Sequence, residues 1–244
     1  MNAQPTTYTD AVRSDSDLIA AAVEGGPLDA AVTTCPGWDL RELVVHTGMV
    51  HRWATRVLLD GKAPDDRDLT LPGDDENLAA WMRAGAGELA DRLDALGPDA
   101  DVWHPWSLDR KAWVWYRRLA NETMVHRWDA EVAVAGSSSL EPARASDGVD
   151  EYFELGLPRV LEREQILAPD FSLHVHCTDV EGEWLIWGEG GELQLLAEHR
   201  KGDAALRGPA EMLLLVLMGR ADRDRLDVVG DPAAAAEWLD LPGW

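Results

Sequence analysis

Apolar residues recur every three or four positions through the first ~135 residues and at every second position later, so the pattern predicts helices first and a sheet afterwards. A first helix is predicted over "YTDAVRSDSDLIAAAVEG". A second follows the Pro36-Gly37 turn, opens on Asp39 with Glu42 three residues on, as a capping box does, and stops at Gly61. A third fits "ENLAAWMRAGAGELADRLDALG". The fourth begins near Lys111, runs through "LANETMVHRWDAEVA" and stops at Gly136. Four helices of this length predict a four-helix bundle.

"GSSSLEPARASDGVD" reads as a linker by its Ser, Pro and Gly content, which divides the chain into domains at 1–144 and 145–244. A helix through "EYFELGLPRVLER" is expected to bend or break near Pro158. In "FSLHVHCTD" the period becomes two: Phe171, Leu173, Val175 and Cys177 alternate with Ser172, His174, His176 and Thr178. "EWLIWGEG" and "ELQLLAEH" read as further strands. "GPAEMLLLVLMGRA" reads as a buried helix, "LDVVGD" as a short strand and "PAAAAEWLDL" as a closing helix. The fold class is therefore α plus α+β, a bundle followed by a smaller α/β domain with a mostly antiparallel sheet.

The fourth helix carries an anomaly. Trp115, Leu119, Glu122, His126, Asp129 and Ala133 follow at steps of 4, 3, 4, 3 and 4, which keeps them on one face. The ends of that stripe are apolar and its middle is ionisable. Burying an unpaired carboxylate is costly, so the stripe needs a salt-bridge network, a wet cavity or a metal. The second helix has a matching stripe, Leu43, His46, Val50, Trp53 and Val57. His51 lies about 140° further round and does not share a centre with His46. His46 from one helix and Glu122 with His126 from another offer two nitrogens and one oxygen. That donor set suits Zn²⁺, and three protein ligands leave a fourth position open, as in catalytic zinc sites. Asp129 is placed to accept an imidazole N–H behind the ligands.

Composition narrows the function. With 22 Lys and Arg against 45 Asp and Glu the formal charge is -23, a field that repels nucleic acid and anionic membranes. It also repels anionic substrates, so a site for one needs a local cation; Arg52, Arg127 and Arg220 are candidates, the first two also reading as structural ion pairs. No basic and apolar leader opens "MNAQPTTYTD" and no apolar run nears the roughly 20 residues of a membrane span, so a cytoplasmic protein with free Cys35 and Cys177 is expected. Both cysteines read as small buried residues. Twelve tryptophans stand against two phenylalanines, and Trp38, Trp53 and Trp128 flank the candidate ligands in sequence, where each can wall a pocket or fill core. His174 and His176 share a strand face, but no carboxylate or Cys partner is evident for them, and they read as surface or interface residues. His104 and His199 read as loop or strand-end residues.

"CPGWDLRELVVHTGMVHRWA" and "NETMVHRWDAE" resemble the two signature segments of the mycothiol-dependent maleylpyruvate isomerase family, and "LHVHCTDVEGEW", "LRGPAEMLLLVLMGR" and "VVGDPAAAAEWL" resemble its C-terminal domain. The resemblance implies a DinB-like bundle, a sterol-carrier-like C-terminal domain, one zinc ion per chain and mycothiol as thiol cofactor. It places the family's ligands on His46, Glu122 and His126, and its catalytic arginine on Arg220, with Arg207 as second choice. Trp38, Arg52 and Asp129 are expected around the ligands or substrate. The implied reaction is thiol addition to an electrophilic small molecule with cis-trans isomerisation. Thiol S-transfer to another electrophile and non-catalytic binding of a small ligand are the alternatives. The implied partners are that electrophile and the thiol, in a monomer or weak homodimer.

Overall fold

The computed structural model describes residues 5–64, 71–73 and 77–244. Glu76, where the pattern starts the third helix, lies outside the described residues. The chain divides into two compact units, the first ending at Ser139 and the second spanning Leu140–Trp244.

The first unit is built from α1 (Pro5–Gly25), α2 (Leu40–Asp60), α3 (Leu78–Leu96) and α4 (Trp113–Ala135). The helix signals in the sequence act as read. Asp39 accepts from the Glu42 N–H at 2.9 Å while the Glu42 carboxylate accepts from the Asp39 N–H at 2.9 Å, which satisfies two donors that the first turn of α2 leaves open. Gly61 and Gly136 end α2 and α4 in the left-handed conformation, at φ 70° and 74°, where a Cβ is strained. Both α1 and α2 pack on α3 and α4. Where α2 meets α3 only glycine fits: a Cβ on Gly48 would stand 2.1 Å from the Trp81 ring.

Two apolar clusters stand out among the described residues of the bundle. One apolar cluster gathers Val12, Ala54, Val57, Leu89, Leu93, Trp115 and Leu119, and another gathers Ile19, Leu40, Leu43, Val44, Met82 and Ala130. Between them fall His46, Thr47 and His51 along α2, and Glu122, Thr123 and His126 along α4. The ionisable middle of the α4 stripe is thus one side of a polar layer across the bundle.

The second unit opens with α5 (Pro142–Glu151), so part of the stretch read as a linker is helix. Glu141 caps it by accepting from the N–H groups of Ala143 and Arg144, and Pro142 sits where its missing N–H costs nothing. The expected bend near Pro158 takes the form of a wide π turn, Tyr152–Gly156, before α6 (Leu157–Glu164). Proline cannot donate to the preceding turn and its ring crowds the carbonyl four residues back, so the turn widens.

Five strands follow: β1 (Leu173–Cys177), β2 (Glu183–Glu189), β3 (Glu192–Leu196), β4 (Ala204–Gly208) and β5 (Asp227–Gly230), with α7 (Ala210–Leu217) between β4 and β5 and α8 (Pro232–Leu239) last. Their order is β3-β2-β1-β4-β5, antiparallel except for the β1–β4 pair. β4 is absent from the sequence reading. Its "AALRG" is short, and it earns its place by pairing in parallel with β1 rather than through any turn signal of its own. Leu173, Val175, Cys177, Trp184, Ile186 and Leu206 are buried, and α8 packs on β1, β4 and β5 while α7 packs on β4 and α5. The connection 197–203 leads from β3, past β2 and β1, to β4.

Candidate metal centre

Two helices place the three candidate ligands. His46 comes from α2, and Glu122 and His126 from α4, one turn apart. A single oxygen, Glu122 Oε1, faces both imidazoles, 3.5 Å from His46 Nε2 and 3.3 Å from His126 Nε2. One donor atom from each residue lies within 4.8 Å of the others. The imidazoles stand edge to face, with centroids 5.1 Å apart.

Glu122 and His126 are also held from behind. Arg118, one turn before Glu122, pairs with Glu122 Oε2. His126 Nδ1 donates to Asp129 Oδ2 at 3.0 Å, which keeps a proton on Nδ1 and turns Nε2 toward Glu122. Asp129 is fully buried and also accepts from Thr34 Oγ1 at 2.6 Å and from the Cys35 thiol at 3.6 Å. Trp38 closes one side, its ring 4.8 Å from His46 and 6.2 Å from His126. His46, 38% exposed at its side chain, marks the open side, against 7% for His126.

Burial alone would raise the Glu122 carboxyl, but the Arg118 guanidinium and the His126 imidazole hold it well below the usual carboxylate range. Burial likewise opposes a charge on His126, and Glu122 with Asp129 overcomes it, raising that imidazole well above its ordinary value. Cys35, His126 and Asp129 also approach one another closely enough to suggest a ligand set. That set uses His126 Nδ1 and an Asp129 whose oxygens already accept from three donors, so it offers no open position.

The other residues singled out from sequence lie elsewhere. Arg52 donates to the Gly48 and Trp81 carbonyls at 3.0 and 2.8 Å, with its guanidinium carbon 3.7 Å over the Trp81 ring, and so packs α2 on α3. Arg127 is paired with Glu131 at 2.6 Å and Asp15 at 3.4 Å. Trp53 lies against Trp103 and Trp115 in the apolar cluster. Arg220 belongs to the second unit, where it donates to the Met218 carbonyl at 2.7 Å. Cys177 is buried, which pushes its thiol up to about 11 and removes it as a thiolate at neutral pH. Cys35 is half-buried beside Asp129 rather than enclosed in the core.

The sequence reading misses Arg118, although the i, i+4 spacing to Glu122 signals it. It also leaves His51 without a role. That ring is fully buried, and its Nε2 is 2.9 Å from Thr123 Oγ1, whose own proton goes to the Leu119 carbonyl at 2.6 Å. His51 is therefore the Nε2–H tautomer, and desolvation lowers its pKa from 6.5 to about 3. The unfolded chain takes up a proton below pH 6.5 that the folded bundle refuses until about pH 3. Stability from this group is complete above pH 6.5 and falls as the pH drops. Between pH 7 and pH 5 the loss is about 2 kcal/mol. Urea denaturation at both pH values, with His51→Gln as the flatter control, measures it.

Residues 9–131, which contain all three candidate ligands, match the mycothiol maleylpyruvate isomerase N-terminal domain. No curated protein and no solved structure matches the chain.

Proposed function

The chain belongs to the mycothiol maleylpyruvate isomerase family, and from that premise we propose that His46, Glu122 and His126 hold one zinc ion at which a low-molecular-weight thiol, mycothiol, is activated to attack an electrophilic small molecule. One observation carries the reading. The imidazole nitrogens stand 3.5 and 3.3 Å from Glu122 Oε1. Those separations exceed an ordinary N–H···O hydrogen bond of about 2.9 Å. They match the roughly 3.3 Å that two ligand atoms keep around a tetrahedral ion with bonds of about 2.0–2.1 Å.

The surrounding residues fit that use. Asp129 holds a proton on the far nitrogen, so Nε2 is the atom that would bind the ion, giving up its own proton to do so. Arg118 neutralises Glu122 and occupies its second oxygen, so the carboxylate offers one oxygen rather than two. Trp38 excludes water on one side, and the exposed edge of His46 leaves the approach for thiol and substrate. Bound zinc with an open position keeps a thiol deprotonated near neutral pH. Reversible thiol addition opens a cis double bond to rotation, and elimination returns the trans alkene with the thiol unchanged. Maleylpyruvate-like substrates are anionic, and a guanidinium fork is needed to hold a carboxylate in so acidic a protein. Arg220 is proposed for that role on the family likeness of "MGRAD".

The test is metal analysis of the gently purified protein, then turnover of a cis-dienoate keto acid with and without mycothiol. Zinc in the N-terminal centre and thiol-dependent appearance of the trans isomer are expected. Accumulation of a stable thioether instead assigns S-transfer, and a zinc-replete preparation whose N-terminal centre is metal-free refutes the reading.

A further inference from the structure

A second constellation of metal-binding side chains stands in the C-terminal unit, and nothing in the N-terminal chemistry uses it. His174, His176, Glu183 and His199 each bring one donor atom within 4.8 Å of all the others. The sheet assembles them. His174 and His176 are two apart on β1 and so share a face, and Glu183 is the register partner of His176 on β2. His199 arrives on the connection 197–203, which carries it over that same face: its ring centroid is 5.0 Å from His174 and 6.5 Å from His176. The carboxylate partner that the sequence did not reveal for the two strand histidines is therefore Glu183, seven positions after His176 in sequence but directly opposite it in the sheet.

Glu183 is gripped from two sides. Its Oε1 is 2.5 Å from His176 Nδ1 and its Oε2 is 2.8 Å from His199 Nδ1. His174 completes the group differently. It is 7% exposed, and its Nε2 is buried with no hydrogen-bond partner among the described residues. A buried imidazole nitrogen without a partner is costly, and three imidazoles crowded on one carboxylate make an unusual arrangement for a sheet surface. One divalent cation satisfies all four groups at once.

We propose that His174, His176, Glu183 and His199 form a second transition-metal site, best suited to Zn²⁺, that ties β1, β2 and the 197–203 connection together. Three nitrogens and one oxygen are a zinc donor set, and imidazole-rich sites take zinc, copper or nickel rather than calcium or magnesium. Four protein ligands close the coordination sphere, so the site is structural and has no position for substrate. Contraction from the present spacing to about 3.3 Å between ligand atoms falls mainly on His199, which is 75% exposed at its side chain and lies outside any strand. Arg207, opposite His176 on β4, opposes a cation, but it is exposed and water screens its charge.

The proposal is independent of the N-terminal zinc, and the experiment keeps the two apart. The full chain is stripped with a chelator, desalted and titrated with Zn²⁺ against a chromogenic competitor. Wild type, His46→Ala with His126→Ala, and His199→Gln are compared, with circular dichroism to confirm folding. His46→Ala with His126→Ala is expected to retain one equivalent of zinc and a melting temperature that rises on adding zinc. Adding His199→Gln to it, a change at an exposed loop residue, is expected to weaken that equivalent by at least about tenfold and abolish the thermal response. No zinc bound by the folded His46→Ala, His126→Ala chain overturns the second site while leaving the first. Zinc binding there that neither His199→Gln nor His174→Ala alters overturns it too. One equivalent in wild type that His199→Gln removes and His46→Ala with His126→Ala leaves upholds the second site and removes the first.

Discussion

His126→Ala is expected to abolish the zinc binding proposed for the N-terminal centre and take thiol-dependent turnover to background. The imidazole is enclosed and works at both nitrogens, Nε2 toward Glu122 and Nδ1 toward Asp129. Cutting it back to Cβ removes one of the three proposed donors, and among the described residues the nearest alternatives are engaged elsewhere. Cys35 is turned to Asp129, and His51 is tied to Thr123. The metal count should fall by one per chain, by elemental analysis, with turnover measured on the same preparation. Asp129→Asn separates ligation from orientation. It keeps the shape but offers His126 a weaker acceptor, so zinc affinity should fall about 10–100-fold rather than vanish. Unchanged zinc and unchanged turnover in folded His126→Ala would remove the centre from the chemistry.

The second large effect is on stability. Trp115 is 2% exposed and sits edge-on to Trp53 and Trp106, with centroids 5.6 and 5.3 Å away, while its indole N–H donates to the Trp103 carbonyl at 3.0 Å. Trp115→Ala leaves a cavity among rings that cannot close on it and strands a carbonyl. The expected cost is about 3–5 kcal/mol, seen as a lower urea midpoint with the slope unchanged. Trp115→Phe should cost less, because it keeps most of the ring area and loses the N–H. A cost under about 1 kcal/mol for the alanine variant would show that the tryptophan cluster is not packed as described.

Legibility in the sequence followed the range of the forces involved. Helix α2 could be placed to the residue, because Asp39, Glu42 and Gly61 act within a single turn of themselves. The spacing of His46, Glu122 and His126 was visible because helix periodicity puts each on an inward stripe, even though nothing local says that α2 and α4 meet. Arg118 and Asp129 differ in the same way. Both are on the α4 face, yet the burial of Asp129 under Thr34 and Cys35 depends on a loop far off in sequence. β4 is not legible in sequence because "AALRG" owes its extended form to pairing with β1. Glu183 is not legible as a partner of His176 because register between strands is set by the whole sheet.

The polar layer across the bundle has a consequence for how such a protein can change over time. Among the described residues it lies between two apolar clusters that share no buried member. Substitutions drawn one from each, at sites more than about 7–10 Å apart with no shared partner, should add to within about 0.5 kcal/mol. A change confined to one cluster should then leave the spacing of the three proposed donors, His46, Glu122 and His126, as it is.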